Sequence, residues 1–225
     1  MKPWELLGEA RTSDGSSLTL TRRDREYLIL ANGKSLMSNL MHGSEEELAA
    51  LACRRARTLA EACLLIGGLG MGFTLRAALD LLPPRCTVVV AELLPAVVEW
   101  NRGPLAPLAE YPLKDPRVHV VEGDVLDTLR SSTCRFDAVV LDVDNGPAAF
   151  TMASNAELYT DRGLATARAS LKDDGVLAVW SAWDDRRFEQ RLRYGGFAVE
   201  VTRVRARLKK GGPRHTLFLG HKRSA

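Results

Sequence analysis

The stretch Leu64–Leu79, "LLIGGLGMGFTLRAAL", decides how this chain is read. Three apolar residues of strand type run into Gly67, Gly68, Gly70 and Gly72, and the spacing then changes to that of a helix. A strand that turns through glycines into a helix is the opening unit of an α/β sheet, and its turn borders the ligand crevice. Glycine there lets a ligand approach the backbone and supplies φ angles that other residues avoid. Alone, such a cluster is a weak signal, because tight turns select the same residues.

The downstream pattern strengthens it. The runs "CTVVVAE" (86–92), "RVHVVEGD" (117–124), "DAVVLDVD" (137–144) and "GVLAVWSA" (175–182) alternate with helical stretches such as "PAVVEWNR" and "DDRRFEQRLRYGG". Runs that are apolar on both faces and separated by helices predict strands buried in a parallel sheet between two helical layers. Near the end, "FAVEVTRVRAR" and "HTLFLGHK" flank a short Gly-Gly-Pro loop, so the last strand is expected to run antiparallel to its neighbour. The expected fold is α/β, a Rossmann-like, seven-stranded class I methyltransferase-like sheet closed by a C-terminal antiparallel hairpin.

Residues 1–43 read differently. "SSLTLTRRDREYLILANGKSLMS" alternates, and Asn32-Gly33 is the pair that a type I′ hairpin favours. A small β element of two or three strands is expected there, with a Rossmann-like adenosyl-cofactor-binding catalytic domain over 44–225. Ser44, with Glu47 three residues on, matches a capping box at the start of a helix.

Composition narrows the function classes. The chain has 225 residues, 46% hydrophobic, and a formal net charge of only +3, enough for one core and too balanced to commit the molecule to nucleic acid or an anionic membrane. Cys53, Cys63, Cys86 and Cys134 form no Cys-x-x-Cys pair and have no histidine at ligand spacing, so no metal site and no disulfide framework is expected. They read as reduced, mostly buried thiols. "MKPWELLGEARTSDG" lacks an apolar signal core and no apolar run is long enough to span a bilayer, so a cytoplasmic protein with no membrane partner is expected.

Two further strand ends carry acids. Glu92 lies twenty residues beyond Gly72 and ends "CTVVVAE", where a carboxylate accepts hydrogen bonds from ribose hydroxyls. Asp124 ends "VHVVEGD", where it can accept from the exocyclic amine of an adenine or cap the helix that follows. The glycine loop and these two acids describe an adenosine pocket. The spacing is not a clean G-x-G-x-x-G and the terminal hairpin is foreign to dehydrogenases, which favours an adenosyl sulfonium over a dinucleotide.

With these residues in place, the sequence resembles the spermidine/spermine synthase family of aminopropyltransferases. The likeness runs through the leading β element, "IGGLGMGFTLR", "VVVAELLPAVVEW", "DPRVHVVEGD", "FDAVVLDVDNGP" and "LYTDRGLATARASLKDDGVLAVW". The resemblance implies decarboxylated S-adenosylmethionine as donor, a small amine or polyamine as acceptor, and a homo-oligomer, commonly a dimer. It implies that Glu92 holds the ribose, Asp124 the adenine, and that Asp142 helps to accept the proton of the attacking amine. An ammonium must shed a proton before its nitrogen can attack the carbon beside a sulfonium, and a positioned carboxylate serves that need. Asp144 would bind a second positive group and Asn145 would orient the amine, although Asp, Asn, Gly and Pro are also what turns select.

The chain departs from the family at two loops. The family's Gly-Gly-Gly-Asp-Gly-Gly carries an acid for the donor's ammonium, whereas Gly67–Gly72 places Leu69 and Met71 in that stretch. The "DVDNGP" loop is short, and the Tyr-His-Glu element is represented by His42-Gly43-Ser44-Glu45. These departures leave open a methyltransferase that uses intact S-adenosylmethionine on an amine or other small acceptor, and a binding protein whose catalytic machinery has eroded.

Overall fold

In the computed structural model, which describes residues 2–12, 15–143, 146–147, 153–207 and 212–224, the chain builds two sheets. The first is an antiparallel meander of β1 (Glu5–Arg11), β2 (Ser17–Arg23), β3 (Glu26–Ala31) and β4 (Lys34–Ser38). It has four strands where alternation predicted two or three. The additional strand is β1, whose side chains are exposed or half-buried and so show little alternation. Asn32 and Gly33 adopt φ of 49° and 75°, the turn that the pair predicts, and set Ala31 opposite Lys34.

The second sheet comprises β5 (Cys63–Gly67), β6 (Thr87–Glu92), β7 (Val118–Glu122), β8 (Phe136–Leu141), β9 (Leu171–Ser181), β10 (Phe197–Arg205) and β11 (Arg214–Lys222). Its order is β10-β11-β9-β8-β5-β6-β7. Strands β5 to β9 run parallel, and β11 is antiparallel to both β9 and β10. This is the class I methyltransferase-like sheet with its terminal hairpin.

Helices α1 (Gly43–Ala56), α2 (Phe73–Leu81) and α3 (Pro95–Arg102) share one apolar layer with Leu64, Ile66, Val88 and Val90 of the sheet. Helices α4 (Val125–Arg130), α5 (Asp161–Ser170) and α6 (Arg186–Tyr194) share the other with Leu65, Val89 and Val139. Successive residues of a strand point to opposite faces, which is why strands covered on both sides read as unbroken apolar runs. Leu18, Leu20 and Ile29 of the meander belong to the first layer, so the apolar interior is continuous from the meander into the larger sheet.

Ser44 corrects the capping-box expectation. Helix α1 begins two residues earlier, with His42 rather than Ser44 at the cap position and no side-chain cap bond. An N-cap is worth about 1 kcal/mol, whereas each fully buried leucine contributes roughly 1.5–3 kcal/mol. Burial of Leu48, Ala49, Leu51 and Ala52 therefore sets the helix, and Ser44 is carried into its first turn with no exposed surface.

The chain leaves β5 toward β6 and β7 on one side and toward β8 and β9 on the other, so the strand order reverses at β5 and β8. A crevice opens beyond the carboxyl ends of strands at such a reversal. Arg117 fastens this region from below. Its guanidinium bonds Asp115 at 2.7 Å and the carbonyls of Leu79 and Leu82 at 3.0 and 2.8 Å, tying the start of β7 to the end of α2. The "DPRV" segment is thus a structural clasp.

Cys53 and Cys86 are buried free thiols, Cys63 is half-buried, and Cys134 is exposed. Among the described residues no side-chain cluster could hold a metal ion, and no helix is long and apolar enough to cross a membrane.

Candidate active site

A cavity of about 500 Å³ lies at the reversal, between the carboxyl ends of β5 to β8 and the inner face of the meander. Gly68, Gly70, Glu92, Asp124 and Asp142 line it together. Gly67 and Gly72 lie behind the lining: Gly67 ends β5, and Gly72 is the cap residue before α2. Gly68 has φ +86°, and a Cβ there would sit 2.4 Å from the Asp142 carbonyl oxygen. Only glycine meets both demands.

Glu92 is buried. Its carboxylate accepts from the Leu69 N–H at 2.8 Å and the Leu94 N–H at 2.9 Å, so it pins the glycine loop to the start of α3. Burial pushes this carboxyl up, and those backbone donors pull it back. Each carboxylate oxygen keeps a lone pair for a further donor. Asp124 caps α4 through the Leu126 N–H at 2.8 Å while also lining the cavity. The two roles weighed for it from the sequence are compatible in space.

Asn101 braces the same loop. Its amide donates to the Gly70 carbonyl at 2.8 Å and the Val97 carbonyl at 2.9 Å, and the side chain is buried. Sequence reasoning passed over it, because one amide in a helix carries no pattern.

Asp142 follows β8 directly and lines both this cavity and a second one of about 190 Å³. Its carboxylate accepts from the Thr74 hydroxyl at 2.6 Å. Burial pushes it up to about 6, against the lowering effect of Thr74. Glu45, in the first turn of α1, lines the second cavity with Asp142. Burial first, and then the charge of Asp142, push its carboxyl up to about 8, while Ser44 lowers it. Both carboxyls of the pair are thus held above their ordinary range, Asp142 by burial and Glu45 by burial and the charge of Asp142.

The remaining wall of the second cavity is largely apolar and includes Met37, Met41, Leu69, Met71, Phe73 and Trp180. Leu69 and Met71 are buried in the apolar layer, and the small cavity takes its second acid, beside Asp142, from Glu45 on α1. His42 does not line either cavity; it stacks on Phe73 with ring centroids 4.0 Å apart. Asp144 and Asn145 lie outside the described residues. Trp180 walls the cavity while Trp183 is 55% exposed; Arg203 and Arg205 form an exposed strand face in which Arg203 pairs with Asp184, and Arg207, also exposed, lies beyond the end of the strand.

No protein-family model matches the sequence, and no curated relative does. Among solved structures, the chain is similar to spermidine synthase in complex with the transition-state analogue AdoDATO, at 17% identity over 96% of this chain and 72% of that one, with TM-score 0.73. It is similar to spermidine synthase from Thermotoga maritima at 18% identity over 96% and 72%, with TM-score 0.74. A probable spermidine synthase from Corynebacterium glutamicum aligns at 17% identity over 98% and 81%, with TM-score 0.63. The chain has a spermidine-synthase-like fold.

Proposed function

We propose that this protein is a spermidine-synthase-like transferase that moves an aminopropyl group from decarboxylated S-adenosylmethionine to a small amine or polyamine. One observation carries the reading: Asp142 stands at the junction of a nucleoside-sized cavity and a smaller cavity that holds a second carboxyl. That is where a donor carbon and an acceptor nitrogen would meet.

The charge of the larger cavity supports a sulfonium. Among the described residues its charged lining is Glu92, Asp124 and Asp142 against Lys34 alone, which favours a cation and repels the pyrophosphate of a dinucleotide. In this reading Glu92 holds the ribose hydroxyls, Asp124 meets the adenine amine, and Gly68 and Gly70 let the backbone approach the ligand. Asp142 orients the acceptor ammonium and takes its proton, a contribution typically of 10²–10⁴-fold. Alignment of nitrogen, carbon and sulfur between the two cavities supplies much of the rest. Asp144 would bind a second positive group and Asn145 would orient the amine, as the resemblance implies. Leu69 and Met71 at the loop favour a second reading, methyl transfer from intact S-adenosylmethionine, since no acid in that loop repels the donor's carboxylate.

Calorimetric titration with each donor, followed by turnover on an amine panel, separates the two. The aminopropyl reading expects the decarboxylated donor to bind at least tenfold tighter, about 1.4 kcal/mol, and to yield an extended amine. Equal or tighter binding of intact S-adenosylmethionine with methylated product would replace it. We also place the protein in the cytoplasm as a homodimer, for which the exposed Trp4 and Leu6 at the meander edge offer apolar surface; sedimentation of the purified protein tests the dimer.

A further inference from the structure

The hydroxyl of Ser44 has three partners. It lies 2.6 Å from Glu45 Oε2, 2.8 Å from His215 Nδ1 and 3.1 Å from Trp180 Nε1. A hydroxyl has one hydrogen to donate, and an indole N–H can only donate. Trp180 therefore gives its hydrogen to Ser44, and of the other two partners one receives the Ser44 hydrogen while the other must supply its own.

Two arrangements satisfy every atom. With Glu45 ionised, Ser44 donates to Glu45 and His215 donates from Nδ1. With Glu45 protonated, Glu45 donates to Ser44, Ser44 donates to Nδ1, and His215 carries its hydrogen on Nε2. Passing from the second to the first moves a proton along the chain of bonds from Glu45 to Nδ1 and releases one from Nε2. Ser44 has no exposed surface, so it is no nucleophile for a substrate. His215 is half-buried, lies beside the exposed Pro213 and Arg214 at the start of β11, and also borders the second cavity.

From this geometry we propose that Glu45, Ser44 and His215 form a proton wire from the Asp142–Glu45 cavity to the surface. The inference rests on the proposed amine transfer for its purpose. An ammonium acceptor and a sulfonium donor give a thioether and an alkylated ammonium, so one proton must leave in each turnover. The nitrogen gives that proton to the carboxyl pair as its lone pair bonds to carbon, and the carbon–sulfur electrons return to sulfur. Glu45 passes a proton to Ser44, Ser44 passes its own to Nδ1, and His215 releases one from Nε2 to water, which restores the pair; tautomer exchange of the ring with water in the second cavity, which His215 borders, then frees Nδ1 for the next proton. Burial lowers His215, favouring the neutral imidazole that can accept. The groups facing Glu45 are Asp142 after β8, Ser44 and Glu46 on α1, and His215 on β11 through Ser44; Trp180 on β9 faces His215 edge-on at 4.5 Å.

The wire is tested in the ligand-free protein by following the ring ¹⁵N shifts of His215 and the carboxyl ¹³C shift of Glu45 through a pH titration. The hydrogen-bond count requires Nδ1 to change from acceptor to donor with the midpoint at which Glu45 ionises, and Glu45→Gln to abolish the change. A His215 tautomer that stays fixed through that midpoint, or still switches in Glu45→Gln, overturns the proposal. With decarboxylated S-adenosylmethionine and the amine panel, His215→Gln is expected to lower kcat at least tenfold at unchanged KM for the amine, with recovery on adding imidazole. Wild-type turnover by His215→Gln also overturns it. If the wild-type protein transfers nothing to any amine, the proposed function falls while the tautomer titration still decides the wire.

Discussion

Asp142 and Glu45 are acids held where acids are costly, and pH exposes that cost. The ordinary value for Glu45 is 4.5 and the folded protein raises it to about 8. The folded state thus binds this proton more tightly than the unfolded state does. The associated stability is fully present below pH 4.5 and is lost as pH rises through about 8. Glu45→Gln carries no such charge, so its melting temperature minus that of the wild type should grow from pH 5 to pH 8.5, as read by thermal unfolding in parallel buffers. A flat difference would mean that Glu45 is solvated in the folded protein. Asp142→Asn should reduce amine transfer by roughly 10²-fold or more while donor affinity, measured by calorimetry, changes little. The Glu45 prediction was not available from the sequence, because its partner Asp142 lies 97 positions later, 142 minus 45, whereas the Asp142 prediction follows from the role that the resemblance implies.

At the scale of elements, the glycine turn is a left-handed connection held by neighbours. Asn101 on α3 grips the Gly70 carbonyl and Glu92 on β6 grips the Leu69 N–H. Asn101→Ala should cost about 1–3 kcal/mol in chemical denaturation and weaken nucleoside binding, because the Gly70 carbonyl loses the donor that fixes it. Gly68→Ala should do more harm to binding than its size implies: the left-handed φ and the Asp142 carbonyl at 2.4 Å force the loop and Asp142 apart together. Binding of 5′-methylthioadenosine to each variant, against the wild type, measures both. The strand, the turn and the helix were each legible in the sequence, since periodicity and glycine spacing are local. The capping box at Ser44 was misread for the complementary reason. A local pattern offered a cap, and burial of one helical face shifted the start and gave the hydroxyl to Glu45, His215 and Trp180.

Over the whole molecule, the meander is a wall of the larger cavity. Leu18, Ile29 and Met37 line it opposite Gly68, Glu92 and Asp124. An adenosyl ligand should therefore slow amide exchange in β2 to β4 together with the loops after β5 and β6, and stabilise the folded state by about 2.7 kcal/mol at a hundredfold excess over Kd. Protection confined to the larger sheet would place the ligand elsewhere. The sequence by itself determined the order of strands and helices from β5 onward, the terminal hairpin, the Asn32-Gly33 turn and the acids at the ends of β6, β7 and β8. These are written in periods of two and 3.6 residues and in turn chemistry, which act over a few neighbours. Tertiary structure alone decided that the meander closes the cavity, that Glu45 faces Asp142, and that Ser44 joins α1 to β11. Those facts depend on packing between segments far apart in the chain, and no local period records which distant side chain a buried polar atom will meet.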